Sequence, residues 1–223
     1  MTALHIIFDC DGVLVDSEPL SNRVSSALLA AHGVMLSPEE AHRRFLGKSF
    51  PDLIAETERE FGVRFPADVE EQEDRRLLDL YATDLAPVPG IAAALEAIGG
   101  RYAVASNSPS HRVVASLRIT GLTDFFGGRI TTYQDVARGK PAPDVYVEAA
   151  RRLGISPQGC LVVEDSVTGV TAARGAGCRI IGFTGTQPNP DAHGRMLAAA
   201  GAGPIIGHMD ELPALVAELA APA

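Results

Sequence analysis

The sequence predicts an α/β fold, with a parallel sheet as the core and an all-helical segment inserted after the first strand. Short apolar runs recur along the chain, and helical patterns separate most of them. This alternation indicates strands joined by crossover helices, and such crossovers are right-handed and give a parallel sheet. Between residue 17 and about residue 86 only helical patterns occur, which predicts the insertion.

The strands of this sheet are expected near residues 4–9, 102–107, 129–133, 160–164, 178–183 and 204–207. Helices are expected between and after them, at residues 90–99, 109–119, 142–153, 167–176, 190–200 and 210–220. Strands and helices that alternate in this way predict three layers, with the sheet between two layers of helices.

The inserted segment carries four helical stretches separated by glycine-containing breaks. They run over Ser21–Ala31, Pro38–Phe45, Pro51–Phe61 and Ala67–Ala82. A set of long crossover helices is the alternative, but four helices far exceed the usual connection between two parallel strands. We therefore expect a core of residues 1–16 and 87–223 and a helical cap of residues 17–86.

Composition argues against several classes of protein. The 223 residues carry a formal net charge of −9, which argues against non-specific binding to nucleic acid. No run of 18 apolar residues occurs, so no membrane span is expected. Neither a cleaved N-terminal signal nor an obligate protein partner is indicated. Three cysteines without close spacing argue against a zinc site and for a reducing compartment, so we expect a cytoplasmic protein.

Two acids follow the first predicted strand. Asp9 and Asp11 stand two residues apart, so on a continuing strand both would face one side, with Cys10 as a packed thiol on the other. Ligands of parallel α/β sheets bind beyond the carboxyl ends of the strands. Neighbouring carboxylates repel each other unless a cation or a proton lies between them. The pair indicates a cation site, and the alternative is a strand end with solvated acids.

Three further segments place polar side chains at the same edge of the sheet. Ser106 ends the second strand, and Glu164 and Asp165 end the fourth. Lys140 lies between these strands in a turn flanked by prolines. The carboxylates suit a hard divalent cation such as Mg²⁺. The hydroxyl of Ser106 and the positive charge of Lys140 suit a phosphoryl group.

In this order the four segments resemble the motifs of the haloacid dehalogenase superfamily of phosphohydrolases. The Asp-x-Asp-Gly-x motif matches residues 9–13, the strand-end Ser or Thr matches Ser106, the Lys-Pro pair matches Lys140, and the acidic pair matches Glu164-Asp165. Within the superfamily the chain resembles the sugar-phosphatase and β-phosphoglucomutase branch, and is similar to bacterial 6-phosphogluconate phosphatases. The resemblance implies a Rossmann-like catalytic core with a helical cap.

The resemblance also implies a mechanism, the Mg²⁺-dependent release of phosphate from a small phosphorylated sugar or sugar acid. Asp9 would be the nucleophile that forms an aspartyl-phosphate, and Asp11 the general acid and then the general base. Asp9, the main-chain carbonyl of Asp11, and Asp165 would hold the Mg²⁺, with Glu164 bound directly or through water. Lys140 would neutralise a phosphate oxygen and orient Asp9.

The expected phosphate-binding residues follow the second strand. Ser106 and the amides of Asn107 and Ser108 should bind the transferring group. Ser108 also fits the N-cap of the next helix, with Pro109 at the first helical position. This would place a helix N-terminus at the phosphate.

Other polar and glycine residues are weaker candidates. Gly47 and Lys48 lie in a turn that matches the substrate-facing cap loop of the resembling branch. Gly169 is expected to be a helix-packing residue. The six histidines do not cluster in sequence, and each, including His193, is expected to be a surface residue or a satisfied core residue.

Two other functions are alternatives to a phosphatase. The first is a β-phosphoglucomutase-type sugar phosphomutase. Such mutases carry a basic residue three positions after the cap-loop glycine and a histidine in the linker helix, where this chain has Phe50 and Ser21. The second is a non-enzymatic receiver domain, which uses a similar set of side chains on a parallel sheet. A receiver is about half as long, lacks a helical insertion and carries its phospho-acceptor on an internal strand.

Overall fold

The computed structural model describes residues 5–37, 40–41, 44 and 50–220 of the chain. Contacts divide the chain into two compact units. One unit runs up to Asp16 and resumes at Ala86, and the other is the segment Ser17–Leu85. No helix in the described ranges combines the length and the apolar character that a membrane span requires.

The larger unit is built on a six-stranded sheet in which every pair of neighbouring strands is parallel. Its strands are β1 His5–Phe8, β2 Arg101–Ser106, β3 Ile130–Thr132, β4 Cys160–Glu164, β5 Arg179–Phe183 and β6 Ile205–Ile206. Their order across the sheet is β3-β2-β1-β4-β5-β6. The prediction of an α/β fold with a parallel sheet is confirmed.

The helices follow the predicted order, and one further α-helix occurs in the described residues of the larger unit. The helices of the inserted segment whose full ranges lie within the described residues are α1 Glu18–Ala31, α2 Phe50–Phe61 and α3 Val69–Asp84. Those of the larger unit are α4 Ile91–Ile98, α5 Ser110–Ile119, α6 Thr123–Phe126, α7 Asp144–Leu153, α8 Val167–Ala176, α9 Pro190–Ala200 and α10 Leu212–Ala220. Helix α6 was not predicted, because four residues are too few to show a helical period.

Three neighbouring strands in the middle of the sheet position the site. In β1, His5 pairs with Arg101 of β2 on one side and with Cys160 of β4 on the other. The three strands therefore run in register and end at the same edge, where Asp9, Ser106 and Glu164 lie. Their preceding residues are buried on both sides of the sheet, as expected for a parallel sheet covered by helices.

An aromatic cluster anchors the strands that carry the site. The ring of Phe8, at the end of β1, lies edge-on to the rings of Tyr102 and Phe126, with centroids 5.8 and 6.2 Å apart. Such pairs add to the free energy gained from burying the rings. Phe126 belongs to the unpredicted helix α6, so this helix contacts the aromatic ring at the end of β1.

The inserted unit has a small apolar core of its own. Leu29, Val34, Ile54 and Val69 are buried together there. Helices α1 and α3 pack against each other, and Arg23 of α1 forms an ion pair with Asp84 at the end of α3, 2.8 Å apart. The predicted stretch Pro38–Phe45 lies only partly within the described residues, and Gly47 and Lys48 lie outside them.

Candidate active site

The end of β1 delivers Asp9 to the sheet edge and then turns back sharply. The amide of Asp9 still donates to the Val163 carbonyl, at 3.0 Å, so the backbone from which its side chain leaves is fixed by the sheet ladder. Gly12 then adopts a φ of +80°, which an L side chain adopts only with strain. Cys10 is 1% exposed, so its prediction as a packed thiol is confirmed, and burial raises its pKa well above the usual range.

Lys140 lies between two carboxylates at the centre of the site. Its Nζ donates to Asp9 Oδ1 at 2.7 Å and to Glu164 Oε1 at 2.6 Å. All three side chains are buried. Charge-assisted bonds of this length are among the strongest contacts in proteins. Lys140, which belongs to neither strand, therefore links the ends of β1 and β4 through its ammonium group.

Burial and mutual repulsion govern the charges of this group. The pKa of Asp9 is raised to about 7, mainly by burial; Lys140 opposes this rise, and the nearby carboxylates of Glu164 and Asp11 add to it. Burial alone would lower the pKa of Lys140, but its two carboxylate partners offset this and hold that pKa above the usual range. The lysine is thus charged at neutral pH, whereas Asp9 keeps its proton to a higher pH than an exposed aspartate does.

The backbone of Lys140 is held by the side chain of Asn107. The Asn107 Oδ1 accepts from the Lys140 amide at 2.8 Å, and its Nδ2 donates to the Lys140 carbonyl at 3.0 Å. This pair of bonds ties the lysine turn to the end of β2. The following peptide bond, Lys140–Pro141, is cis. The sequence predicts a role only for the amide of Asn107, at the phosphate, whereas its side chain positions the lysine.

Glu164 is held by four hydrogen bonds. Besides Lys140, its Oε1 accepts from the Tyr146 hydroxyl at 2.8 Å. Its Oε2 accepts from the amide and the hydroxyl of Ser166, at 2.9 and 3.0 Å. Neither Tyr146 nor Ser166 was predicted from the sequence to contact the site. A tyrosine on the buried face of helix α7 is a usable signal, because a buried phenol hydroxyl requires a partner.

A group of three carboxylates has the chemistry of a site for a hard cation. Ligand atoms of Asp9, Glu164 and Asp165 all lie within 4.8 Å of one another, and all three residues are buried. Oxygen ligands of this kind suit Mg²⁺. The group carries three carboxylates against one ammonium, so the donor set and the charge both fit a divalent cation.

The serines at the end of β2 bond mainly to one another and to Asp11. The Ser106 hydroxyl accepts from the Ser108 amide at 2.9 Å, and the Ser108 hydroxyl donates to Asp11 Oδ2 at 2.7 Å. The prediction that Ser108 is the N-cap is wrong: helix α5 begins at Ser110, after Pro109, and the Ser110 amide donates to Gln134 Oε1 at 2.9 Å. The Ser108 hydroxyl binds a carboxylate instead, which is a stronger bond than one to a helix amide.

Comparison with known proteins identifies the family. Residues 4–177 match the haloacid dehalogenase-like hydrolases. The chain belongs to this family. A 6-phosphogluconate phosphatase of Escherichia coli is 29% identical over 94% of this chain and 93% of its own length. Hexitol phosphatase A of Escherichia coli is 33% identical, over 85% of this chain and 87% of its own.

A solved structure of a haloacid dehalogenase family hydrolase from Deinococcus radiodurans contains bound phosphate and sodium. It matches this chain with a TM-score of 0.78 and 34% identity, and the match covers 98% of each chain. The predicted family and the predicted class of enzyme, a phosphatase, are confirmed. The structure brings Asp9, Lys140, Glu164 and Asp165 into one group.

Gly169 offers a test of how closely this group is packed. A Cβ added there would lie 1.6 Å from Glu164 Oε1. We expect Gly169→Ala to displace the carboxylate from its partners and to lower the free energy of unfolding by at least about 2 kcal/mol, as loss of a buried polar network does. Urea denaturation measures this.

Gly175 in the same helix is the matched control. A Cβ there would first meet Pro143 Cβ at 3.5 Å, which is an ordinary contact. Gly175→Ala should leave the free energy of unfolding unchanged or raise it by up to about 1 kcal/mol, since alanine favours helix. Equal effects of the two substitutions would contradict the close packing of Glu164 against Gly169.

Proposed function

We propose that this protein is an Mg²⁺-dependent phosphatase that hydrolyses a small phosphorylated sugar or sugar acid through an aspartyl-phosphate. The observation that carries the proposal is the buried ammonium of Lys140, 2.7 Å from Asp9 and 2.6 Å from Glu164. Asp165 adds a third carboxylate to this group. A nucleophilic carboxylate, a fixed positive charge and a cation site are what phosphoryl transfer to an enzyme requires.

Asp9 acts as the nucleophile in this proposal. One of its oxygens attacks phosphorus, the bond from phosphorus to the sugar oxygen breaks, and the phosphoryl group is left on Asp9 as a mixed anhydride. The bond from Lys140 to Oδ1 fixes the rotation of the carboxylate. The same ammonium then neutralises charge on the transferring group, where preorganised charge lowers the barrier most.

Asp11 acts as the general acid and then the general base. It protonates the sugar oxygen as that oxygen departs, and it removes a proton from the water that hydrolyses the aspartyl-phosphate. The Ser108 hydroxyl, 2.7 Å from Asp11 Oδ2, orients this carboxylate. Ser106 and the amide of Asn107 bind the phosphoryl oxygens in the proposal, while the Ser108 amide donates to the Ser106 hydroxyl and so orients it.

Asp9, Asp165 and the main-chain carbonyl of Asp11 would hold the Mg²⁺. Glu164 already accepts four hydrogen bonds, so we assign it a contact through water. The cation would offset repulsion between the carboxylates and the phosphate oxygens. The phosphate and sodium bound to the Deinococcus radiodurans relative support a site for an anion and a hard cation.

The substrate class rests on the relatives. The two Escherichia coli relatives act, by their names, on a phosphorylated sugar acid and on phosphorylated hexitols. A net charge of −9 gives an anionic substrate no general attraction. Recognition of the phosphate would therefore depend on Lys140 and the cation. We propose a small phosphorylated metabolite of the cytoplasm as the substrate.

A nucleophile variant tests the mechanism. Asp9→Asn keeps the size of the side chain but removes the attacking charge, so turnover should fall at least roughly 10³-fold, or about 4 kcal/mol in barrier. The assay is Mg²⁺-dependent phosphate release from a panel of sugar phosphates. Asp124→Asn, at an exposed position of the same unit, is the control and should retain full activity. An Asp9→Asn enzyme with a tenth of normal activity would rule out this nucleophile.

A mutase remains the second candidate, and one assay separates it from a phosphatase. A mutase must retain a bisphosphate, and at the position where such enzymes carry a basic residue this chain has Phe50. Each missing charge-assisted contact costs roughly 1.5–3 kcal/mol. We expect net phosphate release from a monophosphate without any bisphosphate activator. With β-glucose 1-phosphate and a trace of the 1,6-bisphosphate, formation of glucose 6-phosphate faster than phosphate release would overturn the phosphatase assignment.

A further inference from the structure

A segment outside the four motifs also contacts the group of three carboxylates, Asp9, Glu164 and Asp165. It runs from Thr184, just after β5, into the first turn of α9 and ends at His193; we call it the β5–α9 segment. Three of its side chains donate hydrogen bonds to the site: Thr186 to Gly12, in the turn after β1, and Gln187 and His193 to Asp165, just after β4. From the sequence, His193 is expected only to be a surface residue or a satisfied core residue.

His193 bonds to the main chain of a proposed metal ligand. Its Nε2 lies within hydrogen-bond distance of the Asp165 carbonyl oxygen. Because a carbonyl oxygen can only accept, the Nε2 atom carries the proton. The bond spans 28 residues of sequence and fixes the backbone at the point where the Asp165 side chain leaves it.

Gln187 bonds to the carboxylate of the same residue. Its Nε2 donates to Asp165 Oδ2 at 3.3 Å, and both side chains are buried. On its other side this oxygen lies against Gly12, where an added Cβ would be 2.1 Å from it. The Thr186 hydroxyl in turn donates to the Gly12 carbonyl at 3.0 Å. Asp165 is thus restrained at its carbonyl and at its carboxylate by one segment.

We propose that His193 and Gln187 are positioning residues that hold Asp165 in the orientation required to bind Mg²⁺. The inference rests on the proposed function, in which Asp165 is a metal ligand. A carboxylate that is already oriented loses less freedom when it binds a cation. Residues that hydrogen-bond to the metal ligands without touching the metal therefore commonly control metal affinity, and their loss lowers that affinity roughly 10–100-fold.

The test measures Mg²⁺ binding directly, by titration calorimetry on the protein without substrate. His193→Leu removes the donor, whereas His193→Gln keeps an N–H donor at about the distance of Nε2 from the backbone. We expect His193→Leu to raise the dissociation constant for Mg²⁺ roughly 10–100-fold and His193→Gln to restore most of the affinity. Gln187→Leu should weaken Mg²⁺ binding in the same direction.

Two further measurements separate positioning from folding. Arg195→Gln, at an exposed position of the same helix, should bind Mg²⁺ like the unsubstituted protein. At saturating Mg²⁺, the kcat and KM of His193→Leu should return to within a few-fold of normal, which a misfolded enzyme could not do. If a folded His193→Leu protein binds Mg²⁺ normally, or if His193→Gln binds as weakly as His193→Leu, the inference is overturned. If the unsubstituted protein binds no Mg²⁺, the proposed function itself fails.

Discussion

The buried ammonium of Lys140 is the interaction on which the rest of the site depends. It allows Asp9 and Glu164, both withdrawn from water, to lie within 2.7 Å of a common positive charge. Buried charges are tolerated only when they are paired and hydrogen-bonded. Asn107 fixes the backbone of the lysine, and the aromatic ring of Tyr146 lies 5.0 Å from its Nζ. Without this charge, the buried carboxylates of Asp9 and Glu164 would lose the ammonium that both of them contact.

The parallel sheet brings these groups together because three strands in register end at one edge. The sheet alone does not make room for the carboxylates. Gly12 and Gly169 do so, since an added Cβ at either position would lie 2.1 Å or less from a carboxylate oxygen of Asp165 or Glu164. Two glycines that are far apart in sequence therefore each leave the space that one of the carboxylates occupies.

The sequence was sufficient to predict the groups that lie at the ends of strands. Asp9, Ser106 and Glu164 each follow an apolar run, and parallel strands bring such ends to one edge. The residues that position these groups could not be predicted in the same way. The contacts of Asn107, Tyr146, Gln187 and His193 join positions 18 to 33 residues apart, on elements whose relative rotation only the folded chain defines. The role of Ser108 could not be predicted for the same reason. Its hydroxyl binds the carboxylate of Asp11, which is distant in sequence, instead of capping the next helix.

The most direct test of this account is the free energy of unfolding of Lys140→Met, measured without Mg²⁺ beside the double variant Lys140→Met/Glu164→Gln. Removing one partner of a buried ion pair costs about 3–5 kcal/mol, because the other charge is left unpaired. The account predicts a loss of this size in the single variant. It also predicts that neutralising Glu164 in the same chain restores much of the stability, so that the two substitutions are strongly non-additive. A Lys140→Met protein as stable as the unsubstituted one would contradict the account.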